Sequence, residues 1–235
     1  MSFAQSKPTF VEIADVANAA YNSDGDCTVT FQPTVQPSVL WKRSDTRTNL
    51  FGFYAAIFRR NDGCRVLAFR GTDDLWDALL DDSAIGIGGL PPQAVDAIKL
   101  AQAVGLTKGD MITGHSLGGA LALIAAAHSG HAAVSFNAPG VMDSCMVSAV
   151  TSKQSGGWRE FLQIVRRCAV NSRAKNIRIA GDPVSGFLTG LQAGSPPEKL
   201  AAPSCGWLDV ICRHGMSTVV AAMRSNADYH RQIDL

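Results

Sequence analysis

Apolar residues at Phe10, Ile13, Ala14, Ala17 and Tyr21 recur at helical spacing, and Thr9-Phe10-Val11-Glu12 ahead of them has the form of a capping box. The pattern predicts a first helix from Phe10, a turn over Asn22 to Gly25 and a strand over Cys27 to Phe31. Pro33 and Pro37 interrupt the chain before the apolar Val39-Leu40-Trp41. Two β-rich runs follow, Phe51 to Phe58 and Arg65 to Phe69, joined by Asn61-Asp62-Gly63, a strong hairpin signal.

Beyond the hairpin the pattern alternates between helix and strand. Ala94, Ala97, Ile98, Ala101 and Val104 mark one face of a helix over Gln93 to Val104, which Gly105 stops. A strand over Asp110 to Thr113, a helix over Leu117 to His128 and a strand over Ala132 to Phe136 come next. They are followed by an amphipathic helix over Trp158 to Ala169, a strand over Asn176 to Ala180 and a last helix beginning at Ser217. An antiparallel hairpin followed by βαβα units predicts an α/β fold: a central, mostly parallel sheet with helices on both faces. At 235 residues the chain fits one domain spanning 1–235.

Composition adds exclusions. The chain is 46% hydrophobic and 17% charged with a net charge of +1, so no global field selects nucleic acid. The N-terminal residues lack the apolar run of a cleaved secretory signal, which predicts synthesis in the cytoplasm and, for any export, a leaderless route. Six cysteines are scattered without Cys-x-x-Cys metal spacing. Free, mostly buried thiols are the expectation, although Cys205 and Cys212 are close enough in sequence to bridge a loop in an oxidising place.

The chemistry centres on Gly114-His115-Ser116-Leu117-Gly118. A Gly-x-Ser-x-Gly string alone is weak evidence, because a Gly-rich helix start can carry an idle serine. Here it lies between the apolar Met111-Ile112-Thr113 and the Ala-rich start of a helix, a strand, sharp turn and helix in succession. Such a turn needs residues without a Cβ beside the serine, and the helix N-terminus behind it favours an oxyanion. Ser116 is therefore the candidate nucleophile and the Leu117 N–H a candidate oxyanion donor. A second donor is expected from the loop after an earlier central strand, where Val66-Leu67-Ala68-Phe69 runs into Arg70-Gly71-Thr72.

At this point the chain resembles the class 3 lipase family of α/β-hydrolases. The resemblance rests on Phe69-Arg70-Gly71-Thr72, the later Trp76, Asp81-Asp82, Gly114 to Ala122, Phe136-Asn137-Ala138-Pro139-Gly140 and Gly181-Asp182-Pro183-Val184, in the family's order. It implies an α/β-hydrolase fold, a Thr72 backbone donor, a short candidate lid over 83–92 and a carboxylic ester of a lipid as substrate. It also allows a leaderless bacterial effector, with an immunity or carrier protein as partner.

The acid and base should follow the serine in the order acid, then histidine. Asp182 comes directly after the strand Asn176 to Ala180 and also matches the family position, with Asp209 as its rival. His115, His128 and His131 do not fit that order, and the last two could complement a helix C-terminus. Of the remainder, His230 stands near a polar tail, whereas His214-Gly215-Met216-Ser217 resembles the family's final motif, which favours His214 as base. No cofactor or metal is needed for this chemistry. Arg159, Arg166, Arg167, Arg173, Lys175 and Arg178 could form a solvated face or a membrane-surface contact for phospholipid headgroups. The competing functions are a small-ester esterase or acyltransferase on the same scaffold, and a catalytically inactive lipase-fold binding module.

Overall fold

The computed structural model describes residues 6–22, 28–31, 39–48, 52–71, 92–186, 197–202, 205–206 and 209–235. The candidate lid therefore lies outside the described residues except for Pro92, as do Thr72, the acidic cluster from Asp73 to Asp82, and Cys27.

Helix α1 spans Phe10–Ala19 and opens with the expected capping box. The Glu12 N–H donates to Thr9 Oγ1 at 3.2 Å and the Thr9 N–H to Glu12 Oε2 at 2.6 Å. The box is also the edge of a buried charge network. Glu12 Oε1 accepts from Trp41 Nε1 at 3.2 Å and from the Arg60 guanidinium at 3.0 Å. Arg60 in turn holds Asp62 at 2.6 Å, the backbone carbonyl of Ser6 and the face of Trp41. Removing one member of such a network strands the other charge in the interior. Arg60→Ala is thus expected to cost about 3–5 kcal/mol, read as a lower urea midpoint at an unchanged m-value.

The described strands form one eight-stranded sheet in sequential order. They are β1 (Thr28–Phe31), β2 (Val39–Thr48), β3 (Tyr54–Arg60), β4 (Arg65–Phe69), β5 (Met111–His115), β6 (Ala132–Phe136), β7 (Ala174–Ile179) and β8 (Glu198–Leu200). Pairing is antiparallel from β1 to β4 and parallel from β4 to β8, so the antiparallel part is larger than the single predicted hairpin.

Between the parallel strands lie α2 (Pro92–Ala103), α3 (Leu117–Ser129) and α4 (Met142–Ala169). Every parallel step moves the same way across the sheet, and right-handed crossovers then place these helices on one face. They pack there against Leu67, Phe69, Ile112 and Ala133. Helices α1 and α7 (Met216–Arg224) cover the other face against Val66, Ala68, Met111, Val134 and Phe136. The alternation of core partners along β4, β5 and β6 is the period of two that a sheet covered on both faces requires. Helix α3 lies innermost, and every residue from Leu117 to His128 is buried.

Helix α4 cannot be one straight rod. As one straight helix it would separate Cys145 from Cys168 by about 35 Å, yet their Cα atoms are 5.7 Å apart and the two are joined by a disulfide. The run is therefore a helical hairpin that reverses between them. A second disulfide joins Cys205 to Cys212. The Cys145–Cys168 pair corrects the expectation of free thiols, while Cys205–Cys212 is the loop bridge that their sequence proximity allowed; spacing alone could not show that a hairpin brings Cys145 and Cys168 together. Cys64 stays free, buried among apolar residues that push its thiol up to about 12.

The basic cluster is also largely committed. Arg167 donates to the Ala127 carbonyl at 3.1 Å, Arg173 to the Gly130 carbonyl at 3.0 Å and Arg178 to the Ser185 carbonyl at 2.6 Å. Lys175 faces Glu198. Arginines thus complement the C-terminus of α3, the role that sequence offered to His128. Burial, then Arg167, pushes His128 down to about 4, and its neutral ring faces Ser148 Oγ at 2.8 Å.

Candidate active site

The strand–turn–helix around Ser116 is present as the sequence implies. Ser116 has φ 57° and ψ −128°, a conformation that a residue with a Cβ adopts only under constraint. The constraint comes from close packing on both sides. A Cβ on Gly114 would lie 2.2 Å from the Gly118 carbonyl oxygen, and one on Gly118 would lie 2.2 Å from that of Phe69. The Ser116 N–H donates to the Phe136 carbonyl at 3.0 Å, tying the turn to β6. The Ser116 side chain makes no capping bond to α3, so its hydroxyl is not consumed by the helix.

This packing predicts a sharp contrast between two glycines. Gly118→Ala forces backbone against backbone and is expected to cost about 3 kcal/mol, seen as a Tm lower by about 10 °C. Gly206→Ala, whose Cβ would meet nothing closer than Asp209 Cβ at 3.8 Å, should leave Tm unchanged.

Strand β4 ends beside the serine. A Cβ on Gly71 would lie 3.1 Å from Ser116 Cβ and 2.7 Å from the His115 carbonyl oxygen. The predicted donor Thr72 is the next residue and lies outside the described residues. Leu117, the other predicted donor, is the first residue of α3, where a backbone N–H has no acceptor within the helix.

Asp182 follows β7 and opens the short helix α5 (Pro183–Gly186). Its carboxylate accepts the Ser185 hydroxyl at 2.5 Å, the Ser185 N–H at 3.0 Å and the Val184 N–H at 3.3 Å. The remaining partner is His214 Nδ1, 3.0 Å from Asp182 Oδ1. His214 ends α6 (Val210–His214) and is buried, and its Nε2 has no hydrogen-bond partner among the described residues. With a proton on Nδ1 facing the carboxylate, Nε2 keeps a lone pair, the state of a general base. The structure thus brings the side chains of Asp182 and His214 together. The rivals have other duties: Asp209 is the N-cap of α6, bonded to the Cys212 N–H, and His230 lies exposed with Nε2 against the Arg224 carbonyl.

The two loops that carry acid and base are also tied together. Arg213 donates to the Ala180 carbonyl at 2.6 Å and the Gly206 carbonyl at 3.0 Å, next to the Cys205–Cys212 disulfide. Asn137, at φ 47°, donates from Nδ2 to the His214 carbonyl at 2.8 Å and accepts the Ile179 N–H at 2.8 Å. His115 reaches the same His214 carbonyl from Nε2 at 2.6 Å. Sequence reasoning set His115 aside by chain order and gave Asn137 no role. Only the short polar side chain at a motif boundary hinted at Asn137, since asparagine tolerates positive φ.

No group of three or more His, Cys, Asp or Glu side chains that could hold a metal ion occurs among the described residues. Among them no helix is long and apolar enough to cross a membrane.

The model of the Tle-like phospholipase domain, a phospholipase-like family, matches residues 12–200. The chain is 38% identical over 119 residues to an extracellular phospholipase A1 of Serratia liquefaciens, covering 47% of this chain and 37% of that protein. It thus spans little more than a third of the length of that relative. Among solved structures, the Lip2 lipase of Yarrowia lipolytica is similar with a TM-score of 0.44 at 18% identity, over 95% of this chain and 92% of the other. An acetyl xylan esterase from Paenibacillus sp. R4 is similar with a TM-score of 0.37 at 14% identity, over 95% of each chain.

Proposed function

The chain belongs to the family of Tle-like phospholipase domains, carboxylic ester hydrolases, and from that premise we propose that it cleaves a phospholipid ester through Ser116, His214 and Asp182. The observation that carries this reading is a buried His214 whose Nδ1 is held by Asp182 and whose Nε2 is left open, its ring 4.8 Å from that of His115, the chain neighbour of the strained, uncapped Ser116.

In this mechanism His214 Nε2 takes the proton as Ser116 Oγ attacks the ester carbonyl carbon. The Leu117 and Thr72 N–H groups stabilise the resulting oxyanion. Collapse of the tetrahedral intermediate expels the alkoxide of the lysolipid, which takes the proton from His214, and leaves an acyl ester on Ser116. Water, deprotonated by the same Nε2, then releases the fatty acid. Asp182 fixes the tautomer of His214 and balances its charge while it is protonated.

The two disulfides support a working place outside a reducing cytosol, in keeping with an exported effector. Of the predicted membrane-facing cations, Arg159 and Arg166 remain exposed for contact with headgroups.

Fatty-acid release from phospholipid vesicles, beside turnover of short- and long-chain p-nitrophenyl esters, tests the reading. Expected are hydrolysis of vesicles and a fluorophosphonate adduct on the peptide that contains Ser116. Turnover restricted to short esters would favour the small-ester esterase. Absence of both turnover and adduct would leave a binding module.

A further inference from the structure

Tyr21 stands just past the end of α1, far in sequence from every residue of the proposed mechanism. Its hydroxyl nevertheless lies where three parts of the site converge. Tyr21 Oη is 2.7 Å from His115 Nδ1, inside the elbow. A Cβ on Gly71 would come within 2.6 Å of the same oxygen, so Tyr21 also borders the strand end that leads to Thr72. Through the His115 ring it reaches His214, whose carbonyl faces His115 Nε2 at 2.6 Å.

The direction of these bonds follows from the chemistry of the groups. A carbonyl can only accept, so His115 Nε2 must carry a proton. Burial, then the neighbouring His214, pushes His115 down to about 3, so the ring is neutral and Nδ1 bears a lone pair. A hydroxyl facing that lone pair donates to it. Tyr21 thereby selects one of the two neutral tautomers of His115, the one able to hold the His214 main chain. The imidazole rings of His115 and His214 are 4.8 Å apart, so a shift of one is felt by the other.

We propose that Tyr21 is a positioning residue of the hydrolase site: its hydroxyl locks His115 in the Nε2–H tautomer, which clamps the His214 carbonyl and so aims Nε2 of His214 at Ser116. The proposal rests on the Ser116–His214–Asp182 reading. Asn137 holds the same carbonyl from another side, so loss of the clamp should misaim His214 without releasing its loop.

Tyr21→Phe, His115→Leu and His115→Gln test it together. Tyr21→Phe is expected to lower kcat about 10-fold, with KM and Tm little changed. His115→Leu should lower kcat about 100-fold, and adding Tyr21→Phe to it should change nothing more, because the two act as one unit. Glutamine can donate to the carbonyl and accept from Tyr21, so His115→Gln should recover most of what His115→Leu loses. In parallel, 15N NMR of the histidine rings should show His115 protonated at Nε2 in the wild type and a mixture of tautomers in Tyr21→Phe.

A Tyr21→Phe enzyme that turns over esters as well as the wild type does would overturn the proposal alone. So would a loss that follows Tm, or His115 protonated at Nδ1. A wild type with the expected tautomer but neither turnover nor fluorophosphonate adduct would bring down the hydrolase reading, and the positioning role with it.

Discussion

Ser116→Ala should reduce kcat on every ester by about a millionfold, while Tm and vesicle binding stay as in the wild type. The size follows from what is removed. The variant keeps the Asp182–His214 pair and the helix N-terminus, but no atom remains to form the acyl intermediate, so only positioning and oxyanion stabilisation are left. That the fold should survive follows from the role of Ser116 in the turn. Its structural bond is the backbone N–H to the Phe136 carbonyl, which alanine retains, and its hydroxyl caps nothing. Alanine at φ 57° carries the same Cβ and the same strain as serine. A loss of kcat below about 10-fold would assign the chemistry to another residue. A large fall in Tm would mean that the hydroxyl is structural.

Local signals made much of this fold legible. The capping box of α1, the turn at Asn61-Asp62-Gly63 and the strand–turn–helix at Ser116 are each specified within a few residues, and each is found where the pattern puts it. What escaped is specified only in three dimensions. Strand β8 has three residues, Glu198-Lys199-Leu200, and no apolar alternation of its own; it exists because the edge of β7 is there to pair with. The first arm of α4 presents Cys145 and Ala149 inward with Ser148, a polar residue that blurs the apolar stripe but is satisfied by His128. The disulfide to Cys168 depends on that arm folding back.

The site divides along the same line. Ser116, Asp182 and His214 could be named because each follows a recognisable strand end or motif, and chain order separates candidates of one residue type. Tyr21, His115 and Asn137 could not, because their partners are backbone carbonyls and ring nitrogens up to 99 residues away. A carbonyl carries no sequence signal. The carboxyl ends of β4 to β7 bring these groups to one edge of the sheet, where the loops of an open α/β fold converge.

Asp182→Asn carries the second large expected effect, a fall in kcat of about 10,000-fold with KM nearly constant. The wild-type carboxylate receives two backbone N–H groups, the Ser185 hydroxyl and the His214 ring. A carboxylate accepts from all of them, whereas an amide offers one accepting oxygen and one donating NH2 group. The Ser185 N–H cannot turn away, and at 3.0 Å it is a closer backbone donor than the Val184 N–H at 3.3 Å. The amide oxygen therefore goes to the Ser185 side and the NH2 faces His214 Nδ1. To accept that donor, His214 must move its proton to Nε2, which then has no lone pair to receive the Ser116 proton. The volume of the side chain hardly changes, so Tm should fall only slightly while activity collapses. Histidine 15N NMR gives the direct check: a proton on Nε2 of His214 in the variant and on Nδ1 in the wild type. Equal tautomers, or a loss of activity below about 10-fold, would remove Asp182 from the mechanism and leave its four hydrogen bonds as a device for capping α5 and holding the His214 loop.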